Sequence, residues 1–215
     1  MNNAPMKPAP LHSDLHLEPF TKENADLVLS WRNSEQVRTH SLNDEPIDYL
    51  DHLNFVEQRQ GHYQRQFFIV RIKGAPVGVL NVNLEQTTGY WGCYLADDRA
   101  TEPRPGIFPL LIGIAGVVAF ECLGCTELQS TVLQSNSAPQ KMNAFLGIPI
   151  TDVITQQRSS GQEINVIHYS LKQQHWPVTL EKLMTVLTRY HQGLLLHLQH
   201  NGCDTMIYPP QSIIQ

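Results

Sequence analysis

The stretch GYWGCYLADDRATEPRPGIFPLLIGIAGVVAFECLG, residues 89–124, decides how this chain folds. Its opening, GYWGCYLADD, reads as a strand, and residues 106–123 read as a helix that is apolar almost all round and stops at Gly124. A helix with no polar face has to be buried on most sides, so it belongs inside the domain. With Pro109 near its start it is too short at its apolar limits for a membrane span, which needs roughly 18 or more apolar residues. The turn between the two, EPRPGIFPLL, residues 102–111, has the form of a phosphate cradle. The first N–H groups of a helix have no intrahelical partner, and the helix dipole favours an anion beside them.

Working outward, LHLEPF alternates like a strand, Thr21 can cap the helix TKENADLVLSWRN, and PIDYLDHLNFVEQRQG is a second helix with Tyr49, Leu53 and Val56 on one side and Gly61 as its cap. QFFIVRI, PVGVLNVNLE and GYWGCYLADD form an antiparallel meander. After the buried helix come the strand TELQSTVLQS, the short helix SAPQKMNAFLG and the strand INVIHYSLK. The fold class is α+β (mixed α/β), one central sheet with helices about it. Beyond Lys172 a single amphipathic helix is expected, with Leu180, Leu183, Leu187, Tyr190, Leu194 and Leu198 in its apolar stripe up to Asn201 and Gly202. We therefore divide the chain into a domain of residues 1–172 and a helical extension of residues 173–215. A stripe of that length needs cover, from its own domain or from a second copy, and a homodimer is the expectation.

A net charge of −5 with charged residues at 16% gives no basic surface for a polynucleotide, so nucleic acid is excluded as a partner. The N-terminus lacks the apolar core of a signal peptide, and no membrane span is expected. Cys93, Cys122, Cys125 and Cys203 fit no secreted scaffold, are read as reduced, and place the protein in the cytoplasm. His191, His197 and His200 lack a carboxylate or cysteine nearby, and no metal is expected.

Three features stand in an informative order: LSWRN with Arg38 and His52 downstream, the strand YWGCYLADD running into the Gly106 turn and AFECLG, and VLQSN opening the helix that closes at Gly147. Together with IDYLDHLNFV and FFIVRI…PVGVL, over residues 15–148, they resemble the GNAT superfamily of acyl-CoA-dependent N-acyltransferases. Within it the chain is most similar to the branch that acetylates the 4-amino group of a UDP-linked sugar in pseudaminic acid biosynthesis. The resemblance implies acetyl-CoA, or another short acyl-CoA, as co-substrate. Its pantetheine arm would lie between the strand of Cys93, Tyr94 and Leu95 and the strand before Asn136, with the pyrophosphate on Gly106, Ile107, Phe108 and Leu110 beside Arg104. The acceptor, a UDP-amino sugar, would meet Trp31, Arg32, Asn33, Arg38, His52, Asn81 and Asn83. Glu85 is the expected base for the attacking amine and Tyr94 the expected acid for the leaving thiolate.

Two departures accompany the resemblance. The second glycine of the family's cradle is Phe108 here, and the family's acid tyrosine falls at Asn143, which cannot supply a proton. Protein N-termini and polyamines are alternative acceptors, since WRN openings also occur there, and a non-catalytic coenzyme A-binding module is the alternative outside enzymes.

Overall fold

The computed structural model describes residues 14–59, 64–96 and 106–201. Strand β1 (Leu15–Pro19) is followed by a 3₁₀ turn (Lys22–Asn24), α1 (Ala25–Arg32), α2 (Glu35–Thr39) and α3 (Tyr49–Arg59). The meander β2 (Arg65–Ile72), β3 (Ala75–Glu85) and β4 (Thr88–Leu95) leads to α4 (Ile107–Gly116), which runs on as a π-helical segment, Val117–Cys122. Then come β5 (Glu127–Leu133), α5 (Ser137–Leu146), β6 (Ile150–Gln157), β7 (Glu163–Lys172), α6 (Trp176–Val186) and α7 (Arg189–Asn201). The expected caps Gly61 and Gly202, and Arg104 and Cys203, lie outside the described residues.

The seven strands form one sheet in the order β1-β2-β3-β4-β5-β7-β6. Every neighbouring pair is antiparallel except β4 with β5, which is parallel. One face of the sheet is covered by α4, α6 and α7 in a single apolar cluster that includes Leu80, Leu110, Leu111, Leu183, Leu195 and Leu198. The other face, over β2 and β3, is covered by α1 and α3 through Phe20, Val28, Trp31, Val56, Ile69 and Val79. As the all-apolar sequence requires, every residue from Pro109 to Phe120 is buried.

Four expectations change. Strand β6, ITDVITQQ, was not anticipated: seven of its eight side chains are exposed, so it carries no burial pattern to read, and it joins the sheet edge by backbone pairing to β7. Helix α3 turns His52 and Val56 inward, whereas Tyr49 stands outside, 47% exposed. The C-terminal segment is two helices, because Leu187 is extended (ψ 140°) and Thr188 accepts the N–H of His191 at the start of the next. Its apolar stripe lies on α4 within the same chain, which removes the reason for expecting a homodimer. Cys93 and Cys125 are free thiols, but Cys122 is disulfide-bonded. With Cys122 paired, the cysteines no longer place the protein in the cytoplasm. Among the described residues no helix is long and apolar enough to cross a membrane.

Helix α6 reaches the core through Trp176. A Cβ on Gly116 would come within 2.3 Å of its ring, so only glycine lets the indole lie against α4. The ring centroid is 5.6 Å from that of Phe120, and Nε1 donates to Glu121 Oε1 at 2.8 Å. Trp176→Ala removes a buried aromatic and leaves a cavity, and should lower unfolding stability by about 3–5 kcal/mol. Gly116→Ala should cost about 1–3 kcal/mol by overpacking. Urea denaturation followed by circular dichroism measures both, and a loss under about 1 kcal/mol for Trp176→Ala would show that α6 is not part of the core.

Candidate active site

Strands β4 and β5 pair only at Thr88 with Glu127, Gly89 with Leu128 and Tyr90 with Gln129. Beyond that they part, β4 remaining bonded to β3 as far as Leu95 and β5 to β7 as far as Leu133. A cavity of about 570 Å³ occupies the opening. Two bonds fix which way β4 faces. Ala96 N–H donates to Val77 O on one side at 3.1 Å, and Thr87 O accepts from Thr126 N–H on the other at 2.8 Å. By strand alternation Gly92 and Tyr94 turn their backbone groups to β3, while Cys93 and Leu95 turn theirs to the opening. On β5, Gln134 N–H donates to Asn165 O of β7 at 2.8 Å, so Thr131 and Leu133 face the opening from the other side. Leu133 O is already engaged by Asn136 N–H and Gln140 Nε2, which leaves Thr131 and the Leu133 N–H facing the opening on that wall.

The cradle turn stands at the mouth of this opening. Gly106 caps α4 at φ +88°, a left-handed conformation that glycine adopts without strain. A Cβ there would also lie 2.8 Å from Nδ1 of the buried His191. Ile107 and Phe108 begin the helix with N–H groups that can have no intrahelical partner, and Phe108 lines the cavity. Leu110, expected as a further donor, is engaged: its N–H donates to Gly106 O at 3.0 Å. Arg104 is outside the described residues.

Asn136 is the N-cap of α5, makes no side-chain capping bond and lines the cavity. Asn143 is buried and lines it too, with a side-chain hydrogen bond to the Tyr169 hydroxyl. Burial pushes Tyr169 up, and that bond draws it back. Cys93 and Tyr94 are both part of the lining. Burial pushes the Cys93 thiol up to about 12 and raises the Tyr94 phenol well above its usual range, against the opposing pull of Arg32. Both shifts favour the neutral forms, the Tyr94 phenol and the Cys93 thiol, and Cys93 is a half-buried group of the wall.

Of the expected acceptor residues, the structure brings Arg32 to the cavity. Its Nη2 donates to Asn43 O at 2.8 Å, its Nη1 is buried without a partner, and burial lowers its pKa. The others lie outside the lining. Trp31 is core, and Asn33 ties down Ile47 by accepting from its N–H at 2.8 Å and donating to its carbonyl at 2.9 Å. Arg38 Nη1 donates to Asp44 O at 3.0 Å. His52 is buried, with Nε2 3.0 Å from Ala25 O, and burial pushes its pKa down. Asn81, Asn83 and Glu85 lie along β3 outside the lining, Glu85 exposed at the turn into β4.

The sequence reading missed Gln36, His40, Ser41, Leu42 and Asn43, which follow Arg32 and close the cavity on that side. Their signal was the cap: Ser34 accepts from Val37 N–H and starts α2, so the chain turns back over the opening after WRN. Among the described residues the lining holds no Asp or Glu, and His40 is its imidazole.

No protein-family profile matches the chain, and no curated protein resembles it in sequence. Solved structures do match in fold. The spermidine N-acetyltransferase of Vibrio cholerae, determined with CoA and spermine, superposes with a TM-score of 0.67 at 13% identity, over 77% of this chain and 99% of that one. The Campylobacter jejuni N-acetyltransferase PseH, determined with acetyl coenzyme A, gives 0.54 at 19%, over 74% and 99%. A GNAT-family acetyltransferase of Streptococcus pneumoniae gives 0.57 at 15%, over 74% and 99%. At such identities the likeness is one of fold: this chain has the GNAT fold.

The raised Cys93 pKa has a direct chemical consequence. At pH 8 its thiolate fraction is about a thousandfold or more below that of an ordinary cysteine near 8.5, so iodoacetamide should leave Cys93 unmodified in the folded protein and label it in denaturant. Peptide mass mapping checks this, and rapid native labelling at Cys93 would show the wall of the cavity to be open.

Proposed function

We propose that the protein is an acyl-CoA-dependent N-acyltransferase. The observation that carries the reading is the parting of β4 from β5 beside the left-handed N-terminus of α4. Unpaired backbone groups at Cys93, Leu95 and Thr131 suit an extended amide-bearing arm, which would bond to them as an added strand does. N–H groups at Ile107 and Phe108 suit the diphosphate at the arm's end. Neighbours in fold were determined with CoA or acetyl-CoA, which supports the same co-substrate here.

The chemistry follows from these groups. A neutral amine attacks the thioester carbonyl, the carbonyl oxygen gathers charge, and the C–S bond breaks to release thiolate. A backbone N–H of Cys93 or Leu95, fixed in the strand, is placed to bind that oxygen. The Tyr94 hydroxyl stays protonated and stabilises the thiolate by hydrogen bonding, and thiols of pKa near 8.5 leave without full protonation. Asn143 adds a hydrogen-bond donor and no acid. His40 replaces Glu85 as the base, because it lines the cavity and a ring nitrogen there can take the proton of the attacking amine.

For the acceptor, we favour the amine of a nucleotide-linked amino sugar. Arg32 sets positive charge in the wall with an unpartnered Nη1, and the described lining has no carboxylate, which suits a neutral or anionic acceptor and repels a polyamine. Spermidine should therefore give no thiol release where a UDP-4-amino sugar does. Arg32→Ala should raise that acceptor's KM about tenfold or more with little change for acetyl-CoA.

Calorimetry with acetyl-CoA tests the core of the reading. Gly106→Val should weaken binding by about a hundredfold, through its φ and the His191 contact, while Phe108→Gly should keep or tighten it. Tyr94→Phe should lower kcat by about a hundredfold with donor binding intact. A wild-type protein that binds no acetyl-CoA at millimolar concentration refutes the reading. Binding without thiol release for any amine would make it a coenzyme-binding module.

A further inference from the structure

We propose that Arg158 is the positioning residue of the acceptor wall, holding residues 40–43 in place from the far end of the β6–β7 hairpin. This rests on the reading of that wall as the acceptor side of an acyltransferase.

Between Thr39 and Tyr49 the chain has no regular secondary structure, yet His40, Ser41, Leu42 and Asn43 from this segment line the cavity. A loop shapes a binding site only if something fixes it. Here the fixing group comes from more than a hundred residues away. Arg158 Nη2 donates to the carbonyls of Arg38 at 2.8 Å, Thr39 at 3.1 Å and Ser41 at 2.9 Å, and its Nε donates to Ser41 O at 3.2 Å. The last carbonyls of α2 have no intrahelical partner, and a planar guanidinium can serve several of them at once.

The rest of the hairpin tip closes the arrangement. Arg158 pairs with Asp44 at 3.2 Å, with side chains only 9% and 15% exposed. Ser160 donates to the same carboxylate through its N–H at 2.9 Å and its hydroxyl at 2.6 Å, and Ser159 N–H donates to Leu42 O at 3.2 Å. Arg38 also donates to Asp44 O, so the two ends of the loop are tied to one point.

The dependence runs both ways. Strand β6 has almost no buried side chains, so the tip is anchored by these polar contacts and by pairing with β7. No residue of β4, β5 or α4 takes part. Loss of Arg158 therefore frees the acceptor wall while the donor groove, built on those elements, keeps its shape. Losing the guanidinium removes its hydrogen bonds to the carbonyls of Arg38, Thr39 and Ser41 together with the ion pair, so the effect is expected to be large for a residue outside the cavity.

The experiment uses the full chain with Arg158→Gln and Arg158→Lys. Hydrogen exchange is read at residues 40–44 and 159–161, with β2 and β3 as internal reference. Arg158→Gln should speed exchange at both segments by about tenfold or more and leave the reference strands unchanged. Arg158→Lys should fall between, since an ammonium cannot bridge several carbonyls in one plane. Acetyl-CoA affinity should stay within about twofold, while KM for a UDP-4-amino sugar rises about tenfold and kcat changes less. Unchanged exchange at residues 40–44 overturns the proposal, as does an equal loss of acetyl-CoA affinity. If the wild type acetylates no UDP-amino sugar, the acceptor assignment fails by itself, and the exchange comparison still decides whether Arg158 holds the wall.

Discussion

Strands β4 and β5 begin side by side and then part because each is committed along its length to a different neighbour, β4 to β3 and β5 to β7. A parallel pair held for three residues and then released leaves strand backbone groups along the cavity without a strand partner. Such groups are costly when buried and unpaired, so the opening works as a site because a ligand or solvent can satisfy them. The other features of the site are arranged about this parting. Helix α4 fills the sheet face beneath it and brings its N-terminus to the mouth, while α5 starts where β5 ends and brings Asn136 and Asn143 to the opposite wall.

The two sides of the cavity are built from different materials. The side proposed for the acyl donor is mainly backbone: strand groups at Cys93, Leu95 and Thr131, and helix-start groups at Ile107 and Phe108. Backbone geometry tolerates wide changes of side chain, and at 13–19% identity the fold is what this chain shares with its structural neighbours. Phe108 in place of a glycine is an instance, for its N–H is that of any residue at the position. The wall proposed for the acceptor is side chains and loop, from Arg32 to Asn43, and polar contacts from the β6–β7 tip reach it.

Two C-terminal helices complete the core. Trp176 and Leu195 lie against glycines of α4, and His191 occupies the space beside Gly106. The conformation of the cradle turn is thereby shielded from solvent by a segment that sequence pattern alone suggests is peripheral. Gly106 answers two constraints at once, a positive φ and a neighbour where a Cβ would be.

What the sequence determined by itself is whatever local pattern specifies. The all-apolar run through residues 109–120 could only be buried, the meander could be read from its alternation, and the cradle was legible from Gly106 and the helix that follows. Tyr94 lines the cavity from β4, and Asn136 and Asn143 line it from α5 on the opposite wall. Tertiary structure alone decided which polar residues face the cavity. Trp31, Arg32 and Asn33 are consecutive, and a helix turns them about 100° apart, so one enters the core, one the cavity and one a loop bond. His52 looked like a binding group and is a buried partner of a carbonyl, because its helix face is set by Val56 and the sheet beneath. Strand β6 was invisible since its side chains are exposed and its order comes from backbone bonds to β7. Arg158 could not be linked to Asp44 from their positions in the chain, because long-range polar contacts leave no periodicity in a sequence; only the packed sheet brings them together.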